Sequence, residues 1–208
     1  MYKLYARNNT GSAAVEALLA VLGVEHELID VPKDDVGEAP LWYAAIIARR
    51  EVPTLGLPDG SVMTESAAMM IHLADAHPEA GLSPAVGTAA RAQYLRWMVY
   101  MAAAPYASDL RMYYPERYSK DAGHADAIKQ KAIIDLARDF NVFARDMGQG
   151  PFILGAQMCA ADIYAAMLLS WSNDVDALFA EQPKLKRLYE GVAANAVVRR
   201  VWDRNGMM

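Results

Sequence analysis

The sequence is poor in cysteine, and this limits the redox chemistry that it can support. Cys159 is the single cysteine among 208 residues. The chain therefore has no internal disulfide, and it lacks the Cys-x-x-Cys pair of a thiol oxidoreductase. Any thiol chemistry must use a thiol that a ligand brings.

Long apolar runs and basic clusters are also missing. No apolar run approaches the ~20 residues of a membrane-spanning helix, and residues 1–5 lead into a strand pattern without a signal region. We therefore expect a cytoplasmic protein that neither enters nor binds a membrane. The net charge of −5 and the isolated pairs Arg49-Arg50 and Arg199-Arg200 argue against nucleic-acid binding.

Metal-ligand spacing is absent as well. His72, His77 and His124 do not recur at the intervals of a metal site, so we expect no metal. What the chain does have is 54% hydrophobic and 22% charged residues, which is typical of a compact protein with a substantial core.

The first 78 residues alternate between strand and helix patterns. Pro58-Asp59-Gly60 is a turn signal between two short apolar runs and predicts an antiparallel hairpin. The first two strands and the helix between them predict a parallel βαβ unit. The predicted elements are strands 2–6, 26–31, 54–57 and 62–64, and helices 12–22, 41–48 and 66–77.

The rest of the chain predicts helices only. Residues 79–87 are rich in Pro, Gly, Ala and Ser and predict a linker. Pro105 should kink the long helical pattern 88–114. The further predicted helices are 124–147, 159–170 and 183–192. We therefore predict an α/β thioredoxin-like N-terminal domain over 1–78 and an all-α helical bundle over 88–208.

Two short segments of the first domain predict a site for a small peptide. Pro53 removes a backbone donor at the head of a strand, where a cis peptide costs only ~0.5–1 kcal/mol, and this would leave Val52 with unpaired backbone groups. Ser66 and the first amides of its helix suit a carboxylate, and Glu65 suits an ammonium group. Glutathione combines these features.

At this point the chain resembles a cytosolic-type glutathione S-transferase over essentially its whole length. The resemblance implies that Val52 and Pro53 contact the cysteinyl backbone of glutathione and that Glu65 and Ser66 receive its γ-glutamyl end. The helix that opens at Cys159 resembles the capping box of the second domain, with Asp162 capping largely alone. Glu51 brings a negative charge to an anionic ligand, and Arg50 or its neighbour Arg49 is expected to offset it at the glycine carboxylate.

Relatives place the group that stabilises the thiolate in the loop after the first strand. In this chain that loop contains Asn9, Thr10 and Ser12, and no tyrosine. We favour Asn9 as the donor, then Thr10. A turn and helix cap would use the same residue types, and for Ser12 this structural role is the stronger interpretation.

The electrophile is expected to bind against the long helix near Pro105. Tyr106, Leu110 and Tyr113 share one face there and suit an apolar, aromatic substrate. The prediction is thus a homodimeric glutathione transferase that conjugates glutathione, as co-substrate, to a small electrophile. A glutathione-dependent isomerase or lyase, or a non-catalytic glutathione-binding or assembly module, are the alternatives.

Overall fold

The computed structural model describes residues 1–33 and 37–207. Their contacts group into two units. Met1–Ser83 and Ala193–Met208 form the first unit, and Pro84–Val192 form the second. The fold is a thioredoxin-like sheet and helix unit followed by a mostly helical unit, as the sequence predicts.

The first unit is built on a four-stranded sheet in the order β2-β1-β3-β4. β1 runs parallel to β2, whereas β3 is antiparallel to both β1 and β4. Leu4 of β1 and Leu55 of β3 pair with each other across the sheet, and both are fully buried. The predicted parallel start and the hairpin are confirmed. The strands are Tyr2–Ala6 (β1), His26–Asp30 (β2), Thr54–Gly56 (β3) and Val62–Met63 (β4).

Two helices of this unit, α1 over Ser12–Val21 and α2 over Ser66–Ala76, pack against each other. Every residue from Ser12 to Leu19 is buried, so α1 lies within the core of the unit. A 3-10 turn over Leu41–Ala45 replaces most of the irregular helix predicted at 41–48. Its central residue, Tyr43, is fully buried.

The second unit consists of helices around a core rich in aromatic side chains. Pro105 does more than kink the predicted long helix, because it ends one helix and begins the next. In the described part of the chain, no helix combines the length and the apolar character needed to cross a membrane. The helices are Ala89–Ala103 (α3), Pro105–Tyr113 (α4), Ala125–Asp146 (α5), Ala160–Ser170 (α6), Val175–Glu181 (α7) and Pro183–Ala193 (α8).

The start of α6 is fixed by a buried carboxylate. Asp162 accepts hydrogen bonds of 2.7 Å from the backbone N–H groups of both Cys159 and Ile153. The Asp162 side chain thereby caps the helix and holds the preceding loop, and the Cys159 side chain accepts a hydrogen bond from the backbone N–H of Asp162 in return. Both halves of the capping box are present, so the expectation that Asp162 caps largely alone is wrong. Burial is the largest influence on the pKa of Asp162 and raises it to about 6.

The last helix, α9 over Ala196–Arg204, packs on α1 and belongs to the first unit by its contacts. Its buried face contains Val198, Val201 and Trp202. The predicted domains, 1–78 and 88–208, are each continuous in the sequence. They therefore place α9 in the second domain, whereas its contacts place it in the first unit. As limits of independently folding domains they stay a prediction.

Candidate functional site

Sheet topology brings the three predicted glutathione segments of the first unit to one end of the sheet. Tyr5, near the end of β1, pairs with Thr54 at the start of β3, because the two strands are antiparallel. Met63, at the end of β4, pairs with Leu55. The loop after β1, the segment before β3 and the segment between β4 and α2 therefore emerge at the same end of the sheet.

Val52 precedes the hydrogen-bonded part of β3. The Val52-Pro53 peptide bond is cis. β3 lies between β1 and β4, so it is not an open edge, and its ladder begins only at Thr54. Within residues 1–33 and 37–207, the backbone N–H and C=O of Val52 have no hydrogen-bond partner. Both groups are therefore available to an extended peptide.

Glu65 and Ser66 form the junction between β4 and α2. Glu65 has φ of 67° and ψ of 100°, a conformation that costs a non-glycine residue ~1–3 kcal/mol. Its side chain is exposed, whereas Ser66, the first residue of α2, is buried. Such strain is typical of ligand-binding positions. The junction thus presents a carboxylate, a hydroxyl and the positive end of a helix.

The loop after β1 is held together by hydrogen bonds of its own hydroxyl groups. Thr10 Oγ1 and Ser12 Oγ lie 2.8 Å apart, and each lies 2.8 Å from the carbonyl oxygen of Arg7. Ser12 Oγ also accepts a hydrogen bond from Arg7 N at 3.2 Å, and Ser12 is fully buried. The two hydroxyl protons are therefore used inside the loop.

Asn9 lies at the outer part of this loop. Its side chain is exposed, and its φ of 52° is a left-handed conformation that asparagine adopts more readily than most residues. Tyr5 belongs to β1, so the loop itself provides no tyrosine hydroxyl group. Of the three predicted thiolate donors, Asn9 alone is exposed, while Thr10 is half-buried.

The arginine side chains near Val52 already have acidic partners. Arg50 donates hydrogen bonds of 2.8 Å to the carbonyl oxygen of Ala39 and to Glu38 Oε2. Arg49 forms an exposed ion pair of 2.8 Å with Glu51. Arg50 therefore anchors the 38–39 segment in this structure, and a role at the glycine carboxylate would require it to exchange Glu38 for the ligand.

Two residues that shape this site were not among the sequence predictions. Tyr43 Oη lies 2.9 Å from the carbonyl oxygen of Glu51 and 2.6 Å from Thr54 Oγ1. Arg7 Nε donates to the carbonyl oxygen of Val31 at 2.8 Å, which ties the loop after β1 to the end of β2. No sequence pattern indicates either role, because both depend on contacts that form only in the folded chain.

The predicted electrophile residues lie together in the second unit on α4. The ring of Tyr106 packs on Trp171, with centroids 5.6 Å apart, and Tyr113 Oη donates to the carbonyl oxygen of Trp171 at 2.8 Å. Leu110 is half-buried on the same helix. Trp171 was missed because it follows α6 and is far from α4 in the sequence.

One buried acid on α4 was also missed. Asp109 is 1% exposed, and neither of its carboxylate oxygens has a hydrogen-bond partner among the described residues. Burial raises its pKa to about 8, so the side chain is mostly a neutral acid at pH 7. Over residues 1–33 and 37–207, no group of three or more His, Cys, Asp or Glu side chains has the arrangement of a metal site.

Comparison with known families and sequences gives one consistent result. The family model for the glutathione S-transferase N-terminal domain matches residues 12–76. An uncharacterised GST-like protein, YncG of Escherichia coli K12, is 25% identical over 95% of this chain and 100% of its own length. Glutathione S-transferase GstA of Escherichia coli O157:H7 is 25% identical over 64% of this chain and 63% of its own length.

Solved structures agree with the sequence comparisons. A glutathione transferase homologue from Sulfitobacter, with bound glutathione, superposes with a TM-score of 0.89 at 26% identity and covers 100% of this chain and 99% of its own. BphK, a bacterial GST solved as a ternary complex, has a TM-score of 0.83 at 25% identity and covers 98% of this chain and 99% of its own.

Proposed function

We propose that this chain, which belongs to the cytosolic-type glutathione S-transferase family, binds glutathione at the end of its sheet and conjugates the glutathione thiolate to an apolar electrophile. The family supports glutathione transferase or related activity. The observation that carries the proposal is the convergence of Val52, the Glu65-Ser66 junction and the loop containing Asn9 at one end of the sheet.

Each part of glutathione has a matching group in this arrangement. The unpaired N–H and C=O of Val52 suit the cysteinyl backbone, and Pro53 fixes the direction of the segment. Ser66 and the start of α2 suit the γ-glutamyl carboxylate, while the exposed carboxylate of Glu65 suits its ammonium group. Arg50 is the candidate for the glycine carboxylate.

The reaction requires the thiolate form of glutathione. A free thiol with a pKa of ~8.5 is only a few per cent ionised at pH 7. Lowering this pKa by about 2 units requires about 2.7 kcal/mol of preferential binding to the thiolate. A side-chain amide and nearby backbone N–H groups can supply it, since hydrogen bonds to charged groups contribute ~1.5–3 kcal/mol each. The thiolate then attacks the electrophilic carbon, a C–S bond forms, and the leaving group departs.

Asn9 is the proposed donor to the thiolate. Asn9 is exposed at the outer part of the loop, whereas Thr10 is half-buried and its hydroxyl group donates to the carbonyl oxygen of Arg7. Thr10 is the second candidate, because its hydroxyl would first have to leave Arg7. Ser12 is fully buried, which favours a role in fixing the loop.

The electrophile is proposed to contact the aromatic group of the second unit. Tyr106 and Tyr113 both contact Trp171, and Leu110 adds an aliphatic side chain. Such side chains favour a flat, apolar substrate.

We also propose a homodimer. The apolar side chains of Leu95 and Val99 are exposed on α3, and they support a contact between two copies of the chain in solution.

A non-catalytic glutathione-binding module is the second candidate function. The observation that favours it is the local use of the Thr10 and Ser12 hydroxyl groups, which leaves the loop without a free hydroxyl donor among these residues. Such a protein would bind the peptide and leave the pKa of its thiol unchanged.

Titration of the bound thiol separates the two candidates. The thiolate absorbance of glutathione bound to the wild-type protein is measured against pH, and then repeated with Asn9→Ala. A transferase should lower the thiol pKa by about 2 units, and Asn9→Ala should return about 1 unit or more of that shift. Asn8→Ala, an exposed neighbour of the same type, is the matched control and should leave the thiol pKa unchanged.

The outcomes are distinct. A bound thiol with its ordinary pKa favours the binding module. A lowered pKa that Asn9→Ala does not change transfers the role to Thr10, which Thr10→Ala then tests. If the wild-type protein binds no glutathione, the proposed function is wrong.

A further inference from the structure

Tyr43 is a fully buried aromatic residue in an otherwise exposed turn. Its neighbours Leu41 and Trp42 are 83% and 48% exposed, whereas Tyr43 has no exposed surface. The ring packs on Tyr5 of β1, with centroids 5.5 Å apart and an angle of 37° between the planes. The turn is thereby anchored to the strand whose end leads into the loop containing Asn9.

The phenolic oxygen of Tyr43 joins the two sides of the Val52-Pro53 segment. It donates to the carbonyl oxygen of Glu51 at 2.9 Å, and it is hydrogen-bonded to Thr54 Oγ1 at 2.6 Å. Thr54 is itself fully buried and is the first residue of β3. The residue before Val52 and the residue after Pro53 are therefore held by one side chain.

The surrounding cluster extends this control to Val52. Val31, Ala39 and Tyr43 form a buried group, and the side chain of Val52 packs against it. Burial is the largest influence on the pKa of Tyr43 and raises it, so the phenol stays protonated and remains a donor at neutral pH. These contacts hold Glu51 and Thr54, the residues on either side of the Val52-Pro53 segment. The direction of the Val52 N–H and C=O therefore depends on them.

We infer that Tyr43 is a positioning residue for the peptide-binding groups of Val52, so that its hydroxyl group controls the affinity for glutathione and not the reactivity of the thiol. The inference rests on the proposed function. Tyr43 is expected to act through Glu51 and Thr54, without touching the sulfur.

The change Tyr43→Phe tests the hydroxyl group while the ring packing on Tyr5 is retained. The probe is S-methylglutathione, which has the peptide backbone and no free thiol. Its dissociation constant, measured by calorimetry, should rise about three- to tenfold, as expected for one lost hydrogen bond. The KM for glutathione should rise by the same factor, with kcat and the pKa of bound glutathione unchanged.

Tyr100→Phe is the matched control. Tyr100 Oη also donates to a backbone carbonyl, that of Asp139 at 3.1 Å, but it lies in the second unit. Its loss should leave the dissociation constant for S-methylglutathione at the wild-type value. If Tyr43→Phe fails to fold, Thr54→Val removes the other partner and should weaken binding as well, while Thr54→Ser retains the hydroxyl group and should restore it.

The results also separate this inference from the function on which it rests. If the wild-type protein does not bind S-methylglutathione, both are wrong. If the wild-type protein binds and Tyr43→Phe and Thr54→Val bind equally well, only the positioning role is wrong. A fall in kcat with unchanged affinity would overturn the positioning role too, since it would assign Tyr43 to the thiol.

Discussion

Asn205 Nδ2 donates a hydrogen bond to Glu16 Oε2 at 3.1 Å, which connects the residue after α9 to α1. Both side chains are buried, and Asn205 Nδ2 also donates to the carbonyl oxygen of Val201 at 2.8 Å. Arg204 forms an ion pair with the same Glu16 carboxylate. A carboxylate buried in α1 thus obtains its partners from the last residue of α9 and the residue that follows it, and α1 begins directly after the loop that contains Asn9.

Replacing Asn205 with Ala should lower the free energy of unfolding by about 1–3 kcal/mol, because a buried carboxylate loses a hydrogen bond. The measurement is the midpoint of chemical denaturation. Arg200→Ala, on the exposed side of α9, is the control and should stay within about 0.5 kcal/mol of wild type. Equal midpoints for Asn205→Ala and wild type would show that the contact with Glu16 adds nothing to stability.

Ser66→Ala should weaken glutathione binding without changing the chemistry at sulfur. If the hydroxyl group binds the γ-glutamyl carboxylate, its loss should raise the dissociation constant for S-methylglutathione about ten- to hundredfold. The pKa of the thiol in bound glutathione should not move, because Ser66 begins α2 and is proposed to bind the other end of the ligand.

Ser61→Ala is the control for this change. Ser61 Oγ donates to Asp59 Oδ1 at 2.6 Å in the hairpin turn, at the opposite end of β4 from α2. It should bind S-methylglutathione as the wild-type protein does. Equal affinity for Ser66→Ala would mean that Ser66 is only the first residue of a helix.

Local sequence patterns account for most of the elements of this fold. Turn residues between apolar runs located the β3–β4 hairpin, and the 3.6-residue period located the longer helices. α7 and α9 were missed because they are only seven and nine residues long. Both begin at capping side chains, Asp174 and Asn195, and these were the available signals. No local pattern indicates that α9 returns to pack on α1.

The residues of the candidate site can be divided in the same way, into those that local sequence patterns indicate and those whose role depends on the folded chain. The residues proposed to meet glutathione were identified because Val52-Pro53 and Glu65-Ser66 are short motifs whose chemistry is local. Tyr43 was missed because its role depends on contacts with residues 8 and 11 positions away that only the folded turn brings together. The use of the Thr10 and Ser12 hydroxyl groups by Arg7 is likewise a property of the folded loop.

Asp109, the buried acid on α4, has no charged or hydrogen-bonding partner among the described residues. Its burial therefore makes the stability of the protein depend on pH. Asp109 lies on the buried face of the helix with Pro105, Ser108 and Met112. Burial raises its pKa from 3.8 to about 8. Between these two values the folded protein keeps a proton that the unfolded chain has released, so stability falls as the pH rises through this window.

Asp109→Asn should therefore flatten the dependence of stability on pH between about 4 and 8, where one such group contributes a slope of up to about 1.4 kcal/mol per pH unit. The test compares denaturation midpoints of wild type and variant across this range. Asp126→Asn, an exposed acid on α5, should keep the wild-type slope. The slope is the informative quantity, because an amide in the same buried position shifts the stability at every pH. Parallel curves for wild type and Asp109→Asn would mean that Asp109 obtains a partner or water in solution and is ionised like an ordinary carboxylate.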